Sequence, residues 1–224
     1  MTLTKKPHDN DFYFIKSFRS DSQETYLDIG SNRGEAILSM LMMSNLDVKI
    51  IGFEPNPLIF NKLSKRYKRN KKITVHNFGL GDTNDEFVLY VPFYRKWMFD
   101  GLASFKYEAA RDWLKSKLWR FNEKRLTIKN VKCETKRLDD LNLRPYFVKI
   151  DVQGFELEVL KGGIETIRVH TPILLIEAIN EEQKDFLRDF GYEFHNFDKG
   201  ELLEGEGRSN TFCITQDKLV QLDL

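Results

Sequence analysis

The sequence predicts an α/β fold, a doubly wound and mostly parallel sheet closed by an antiparallel terminal hairpin. Three observations predict it. Apolar runs of strand length alternate with amphipathic runs of helix length along the chain. The runs at 26–29, 146–150 and 173–176 are apolar with little interruption, as in parallel strands covered on both faces. Acidic residues (Asp28, Glu54, Asp151 and Glu177) stand at or beside the ends of such runs, where open α/β sheets take their ligands.

Residues 1–24 form a lead-in. It is polar over 1–10, and Phe12, Tyr13, Phe14, Ile15 and Phe18 then suit a short helix or strand across the core. A turn is expected at Asp21 and Ser22. The strand at 26–29 runs through Asp28, Gly30, Asn32 and Gly34 into a helix over 35–44. Both glycines permit a tight turn and close backbone approach to a ligand. A dinucleotide fingerprint needs a glycine where Ser31 and Asn32 stand. Asp28 also disfavours a phosphate and suits a cation, such as the amino-acid end of S-adenosylmethionine. A plain strand-to-helix turn with a capping Asp fits this stretch equally well.

The strand at 48–53 stops at Glu54-Pro55-Asn56-Pro57. Glu54 follows the first turn at roughly the spacing at which a carboxylate meets ribose hydroxyls. Pro57 suits the first turn of a helix over 58–70, whose Lys-rich end complements its dipole. The strand at 73–78 leads to Gly79-Leu80-Gly81-Asp82. There Asp82 is placed either to face an adenine or to serve a turn.

A strand at 87–91 precedes an aromatic and basic insertion at about 92–129, which holds all three tryptophans. Tyr107, Ala110, Leu114, Leu118 and Phe121 fall at helical spacing, with Trp113 and Trp119 off that stripe. The insertion is either a substrate lid or an amphipathic helix with cations in solvent, with a basic amphipathic helix resting on a membrane or nucleic acid as a rival. A strand at 131–135 follows, then the central strand ending at Asp151. A helix is expected from 152 through 167, weakened at Gly162-Gly163. After the strand ending at Glu177 come a helix over 181–190 and the strands 192–197 and 210–215 of the hairpin.

The totals exclude several classes. The 224 residues suit one domain over 25–224 after the lead-in. A net charge of +1 gives no general attraction for nucleic acid or anionic membrane. Cys133 and Cys213 are expected as buried apolar residues in strands, not as a disulfide framework. With no apolar leader and no run long enough for a membrane span, the expected location is the cytoplasm. His76 is expected to be structural, and no metal is expected. An ion held by Asp151, Glu177 and a histidine is the weaker alternative.

With Asp28–Gly34, Phe53-Glu54-Pro55 and the run from Lys149 to Glu156 in hand, the chain resembles the FkbM family of S-adenosylmethionine-dependent methyltransferases. That family's pattern is D-x-G-x-N-x-G, then F-E-P, then K-x-D-x-E-G-x-E followed by V-L-x-G, completed here by Val159-Leu160-Lys161-Gly162. Gln153 stands where the pattern has Glu. The resemblance implies a Rossmann-like class I methyltransferase fold with seven strands. It implies methylation of a small-molecule or glycan acceptor, most often a hydroxyl of a sugar or natural product. By position, Asp28, Gly30, Asn32 and Gly34 would shape the methionine end of the cofactor, Glu54 would bind the ribose, and Asp82 would face the adenine. Lys149, Asp151, Glu156 and Glu177 would line the acceptor side, with Asp151 the first candidate for a proton acceptor. The rivals are a nicotinamide-dependent oxidoreductase on the same sheet and a non-catalytic cofactor- or RNA-binding module using residues 92–125.

Overall fold

The structure is a computed structural model that describes residues 6–19, 24–117 and 120–222. The expected turn at Asp21 and Ser22, and the placement of Leu118 and Trp119, lie outside the described residues; so do the side chains of Trp113 and Leu114.

The core begins with β1 (Thr25–Ile29), every residue of which is buried. Alternation along it sends Tyr26 and Asp28 to one face of the sheet and Leu27 and Ile29 to the other. On the Tyr26 face lie α1 (Glu35–Met43) and the lead-in, a 3-10 helix at Asn10–Ser17 that buries Phe12, Phe14 and Ile15. On the Leu27 face lie α4 (Glu156–Gly162), α5 (Ile164–His170) and α6 (Glu181–Arg188), through Leu160, Ile167 and Leu187. Burial on both faces explains the uninterrupted apolar runs.

Outward from β1 on one side come β2 (Lys49–Phe53) and β3 (Ile73–His76), joined by α2 (Pro57–Tyr67). On the other side lie β8 (Pro145–Ile150) and β9 (Ile173–Glu177). All these neighbours pair in parallel. The hairpin strands β10 (Tyr192–Asp198) and β12 (Asn210–Thr215) pair antiparallel as expected, and β12 also runs antiparallel to β9. Their polar link adds β11 (Glu201–Glu204), so the sheet has eight strands rather than seven, in the order β11-β10-β12-β9-β8-β1-β2-β3. The terminal helix α7 (Gln216–Gln221) follows β12. The chain winds away from β1 in both directions, so the carboxyl ends of β1 and β8 form a crevice.

Two expectations are corrected. The helix expected over 152–167 is two helices, because Gly163 breaks the ladder between them. Gly162 also lies so close to the preceding loop that a Cβ there would stand 1.8 Å from the Gly81 carbonyl oxygen. The region expected as an insertion begins and ends inside a ribbon. Strand β5 (Asp85–Tyr94) pairs antiparallel with β7 (Leu126–Lys136) along its whole length. With β4 (Gly79–Leu80) and β6 (Trp97–Met98) they make a second, four-stranded sheet. Alternate residues of β5 (Phe87, Leu89, Val91 and Phe93) gather with Cys133, Ala103 and Phe105 into a small core of their own. Helix α3 (Tyr107–Lys117) follows that core in the chain. Both cysteines are buried in strands, Cys133 in β7 and Cys213 in β12.

Candidate active site

The floor of the crevice is made where three strand ends are laced together. The Gly30 and Ser31 N–H groups both donate to the Phe53 carbonyl oxygen, at 3.1 and 3.0 Å, and the Asp151 N–H donates to the Ile29 carbonyl oxygen at 3.0 Å. Gly30 takes φ +86°, and a Cβ there would lie 1.9 Å from the Asp151 carbonyl oxygen. Only glycine meets both demands. Asn32 also has positive φ, at +43°, which turns its N–H toward the end of β2.

Glu54 receives it. Its Oε2 accepts from the Asn32 N–H at 2.7 Å, and its Oε1 accepts from the Asn56 N–H at 2.8 Å. Asn77 Nδ2 donates to the Glu54 and Pro55 carbonyl oxygens, at 3.0 and 3.2 Å, and so fixes the loop from behind. Asn56 also caps α2, its Oδ1 accepting from the Leu58 N–H. The first two sequence motifs thus meet at one carboxylate. Beside it, Asn32 Oδ1 and Asn56 Nδ2 are buried with no hydrogen-bond partner. Buried polar atoms are rarely left so without a ligand or water to complete them.

These residues line a cleft of about 760 Å³, including its part open to solvent, within the usual range for a small-molecule site. Ile29, Ile59 and Leu80 form one apolar wall; Leu89, Ala103 and Phe105, from the second sheet and the segment after it, form the other. Gly30, Asn32, Glu54 and Asp151 are all on the lining. The fit to a nucleoside with an amino-acid arm rests on this donor set: a backbone-anchored carboxylate for hydroxyls, unpartnered amides and apolar walls.

Asp28 lies beneath this floor rather than on its wall. It is fully buried, and neither carboxylate oxygen has a hydrogen-bond partner. Burial pushes it up to about 6, against the pull of the Lys149 charge. Lys149 pairs with it in register across β1 and β8. Asp82 is exposed and is absent from the cleft lining, where Gly79 and Leu80 stand instead. Gly34 is likewise off the lining; it packs against Leu63 and Tyr67 of α2.

The acceptor side is a chain of polar contacts. Asp151 Oδ2 accepts from Lys149 Nζ at 2.9 Å, and its Oδ1 accepts from Gln153 Nε2 at 2.8 Å. The same Nε2 reaches Glu177 Oε2 at 3.1 Å. Burial raises Asp151, but the hydrogen bonds from Glu177, Lys149 and Gln153 and the Lys149 charge outweigh it, so its carboxyl lies below the ordinary range. Glu177 goes the other way, up to about 7, through its hydrogen bond to Asp151, its burial and the Asp151 charge. Glu156 does not face the acceptor side. Its Oε1 accepts from the Val152 and Gly154 N–H groups and holds the loop after β8. Among the described residues, no group of three His, Cys, Asp or Glu side chains is disposed to hold a metal ion.

Several participants are missed in the sequence. Gln153, which in the sequence shows only as a Gln where the family pattern has Glu, has φ +54° and bridges two carboxylates. Phe155 packs against Phe87 and Phe105 and so joins the loop carrying Asp151 to the second sheet. Asn56 carried one signal, its place before Pro57 at a helix start. Phe105, Gly101 and Ala103 carried none, because their place on the cleft depends on how the second sheet docks.

A model of the methyltransferase FkbM domain matches residues 28–199. Among solved structures, the methyltransferase FkbM from Methylobacillus flagellatus KT is similar at 17% identity and a TM-score of 0.55, over 92% of this chain and 48% of that one. The chain thus spans about half the length of that protein. A precorrin-6y C5,15-methyltransferase from Geobacter metallireducens GS-15 matches at 11% identity and a TM-score of 0.45, over 91% of this chain and 86% of that one. Aeropyrum pernix fibrillarin, crystallised with natively bound S-adenosyl-L-methionine, matches at 12% identity and a TM-score of 0.46, over 91% and 73%. No curated protein matches the sequence. The family match covers both motif-bearing halves of the crevice, and the chain belongs to the FkbM methyltransferase family.

Proposed function

We propose that the chain is an S-adenosylmethionine-dependent O-methyltransferase acting on a hydroxyl of a sugar, glycan or natural product. One methyltransferase unit over 25–224, preceded by the lead-in, is part of the same reading. The cofactor, when bound, supplies an electrophilic methyl group on a sulfonium. Glu54 stands on the cleft lining with each oxygen held by one backbone N–H, which aims the carboxylate at the position ribose hydroxyls would take. The unpartnered Asn32 Oδ1 and Asn56 Nδ2 complete their hydrogen bonds to the same ligand. Asp28 acts from below, as a buried negative charge near the cationic end.

A hydroxyl is a poor nucleophile until its proton begins to leave, and a positioned carboxylate takes it. Asp151 is on the cleft wall and ionised, but its lowered pKa makes it a weak base alone. Glu177 has the basicity, and the Gln153 amide, which donates to both carboxylates, holds it beside Asp151 so that the two carboxyls can share a proton directly. The acceptor proton therefore passes to the Asp151–Glu177 pair, which holds one proton more after transfer than before. Lys149 fixes the carboxylate plane of Asp151. The apolar walls would limit water at the reacting atoms once ligands fill the cleft, which suits a displacement whose charge disperses as it proceeds.

The observation that carries this reading is the Glu54 carboxylate, buried, pinned by two backbone N–H groups and open to the same cleft as Asp151. Titration calorimetry with S-adenosylmethionine and S-adenosylhomocysteine tests it. Binding near about 1–10 μM, lost in Glu54→Ala, supports the reading. A folded wild-type protein that binds neither ligand sinks it.

A further inference from the structure

The second sheet carries a charge pattern that the cofactor site does not use. Between residues 92 and 132 the sequence holds eleven Lys or Arg against four Asp or Glu, although the whole chain is only +1. At the far end of the ribbon this excess becomes a cluster. Arg95, Lys96, Lys124, Arg125 and Lys129 are all exposed there. None of the five makes an ion pair with a carboxylate among the described residues. Aromatic rings stand between them. Tyr94 stacks on Phe121 at 5.7 Å, Lys129 lies 4.5 Å over the Phe93 ring, and Lys96 lies 5.4 Å from the exposed Trp97 ring. The backbone is tied at the same place, where the Arg95 N–H donates to the Arg125 carbonyl oxygen at 2.8 Å.

The cluster is continuous with the cleft. Leu89 lines the cleft, and Val91, two residues on along the same face, pairs directly with Lys129. From Leu89 to Tyr94 the strand advances about 17 Å, a distance of three or so sugar units. The ribbon is thus an apolar wall at its root and a cationic ledge at its tip.

We propose that the acceptor is an acidic glycan, a polymer whose carboxylate or phosphate groups lie on the ribbon tip while a neutral unit presents its hydroxyl to Asp151. This rests on the methyltransferase reading above. Two features favour a glycan over a single-stranded nucleic acid. Base stacking needs a series of free aromatic faces, and here Phe93, Tyr94 and one face of Trp97 are already covered; the other Trp97 face offers a platform for one sugar ring. A ribose hydroxyl in RNA also brings its own phosphate beside the Asp151 and Glu177 carboxylates, where like charges repel. In a glycan the charge can sit several units away from the reactive hydroxyl.

The test uses the full chain and three hexamer probes: an oligouronate, a neutral glucan and a single-stranded RNA. Binding is followed by Trp fluorescence at two salt concentrations, with S-adenosylhomocysteine titrated separately. The expected result is salt-sensitive oligouronate binding, weakened about tenfold or more in an R95E/K96E/K129E variant, with S-adenosylhomocysteine binding unchanged. Trp97→Ala, which leaves the charges, weakens it less. The proposal is overturned if the glucan binds as well, if the RNA binds more tightly than the oligouronate, if the charge reversal changes nothing, or if no probe binds. Loss of S-adenosylhomocysteine binding by the wild type is a separate failure, that of the methyltransferase reading.

Discussion

The floor of the cleft and the ribbon that walls it are built by opposite means. The floor is made of buried strand ends held by backbone hydrogen bonds, with glycine where nothing larger fits. The ribbon is half exposed, has a small core of its own and places long cationic side chains in solvent. Polar groups in the floor are few and costly: Asp28 is buried with no hydrogen-bond partner, and Glu54 is tolerated because two N–H groups meet it. Polar groups on the ribbon tip cost almost nothing to the fold, because water solvates them. Changes in the floor are therefore expected to cost stability and cofactor binding together, and changes on the tip to alter only what the protein binds.

The largest effect is expected at the rim, where floor and acceptor meet. Asp151→Asn should lower methyl transfer by about 10²–10⁴-fold while S-adenosylhomocysteine still binds; equal losses in both would mean that Asp151 serves the cofactor instead. The same pair predicts a pH dependence. Glu177, raised to about 7, accepts a proton only when ionised, so the rate should climb as pH rises through 7 and level above it. A rate profile flat between pH 6 and 8 would remove Glu177 from the proton path.

Next comes Gly30→Ala, which sets a Cβ against the Asp151 carbonyl oxygen at a positive φ. A loss of about 3 kcal/mol in denaturant unfolding is expected, with S-adenosylhomocysteine binding lost too. An unchanged unfolding midpoint would show that the floor yields more than its packing implies.

Asp28 gives an effect of opposite sign. Its folded pKa, about 6, lies above the ordinary 3.8 because of burial. The native state therefore binds the proton more readily than the unfolded chain. That contribution is full below about pH 4 and is lost as pH rises toward 6. Asp28→Asn should remove that pH dependence, about 3 kcal/mol between its ends, and raise the melting temperature at pH 7, while weakening S-adenosylmethionine binding. A variant less stable than wild type at pH 7 would show that the carboxylate is supported in some other way.

The smallest effect belongs to the tip. Trp97 is 65% exposed, and Trp97→Ala should change stability by no more than about 0.5 kcal/mol. A larger loss would make the tip part of the folded core and erase the contrast.

Much of the floor was legible because local chemistry repeats tertiary need there. Gly30 announces a turn, Pro57 a helix start, and acidic residues at the ends of apolar runs announce a crevice. Glu156 shows the limit of such reading. Its place in a motif says that it matters, but only its bonds to the Val152 and Gly154 N–H groups show that it holds the loop and does not face a ligand. Asp82 is similar: a small-residue strand end suggests a site, whereas the side chain is exposed off the lining. The ribbon was less legible. Its strands alternate polar and apolar residues weakly, and pairing partners some forty residues apart leave no local sign.

By itself the sequence determined the wound sheet, its hairpin and the meeting of acidic residues at strand ends. Burial on both faces demands unbroken apolar runs, and those runs are visible in one dimension. Only the tertiary structure decided that residues 85–136 form a second sheet, that Gln153 bridges Asp151 to Glu177, and that Phe155 binds loop to ribbon. These depend on contacts between segments whose residues carry no periodicity tying one to another. Such contacts are set by the shapes that packing brings together, and no local pattern encodes them.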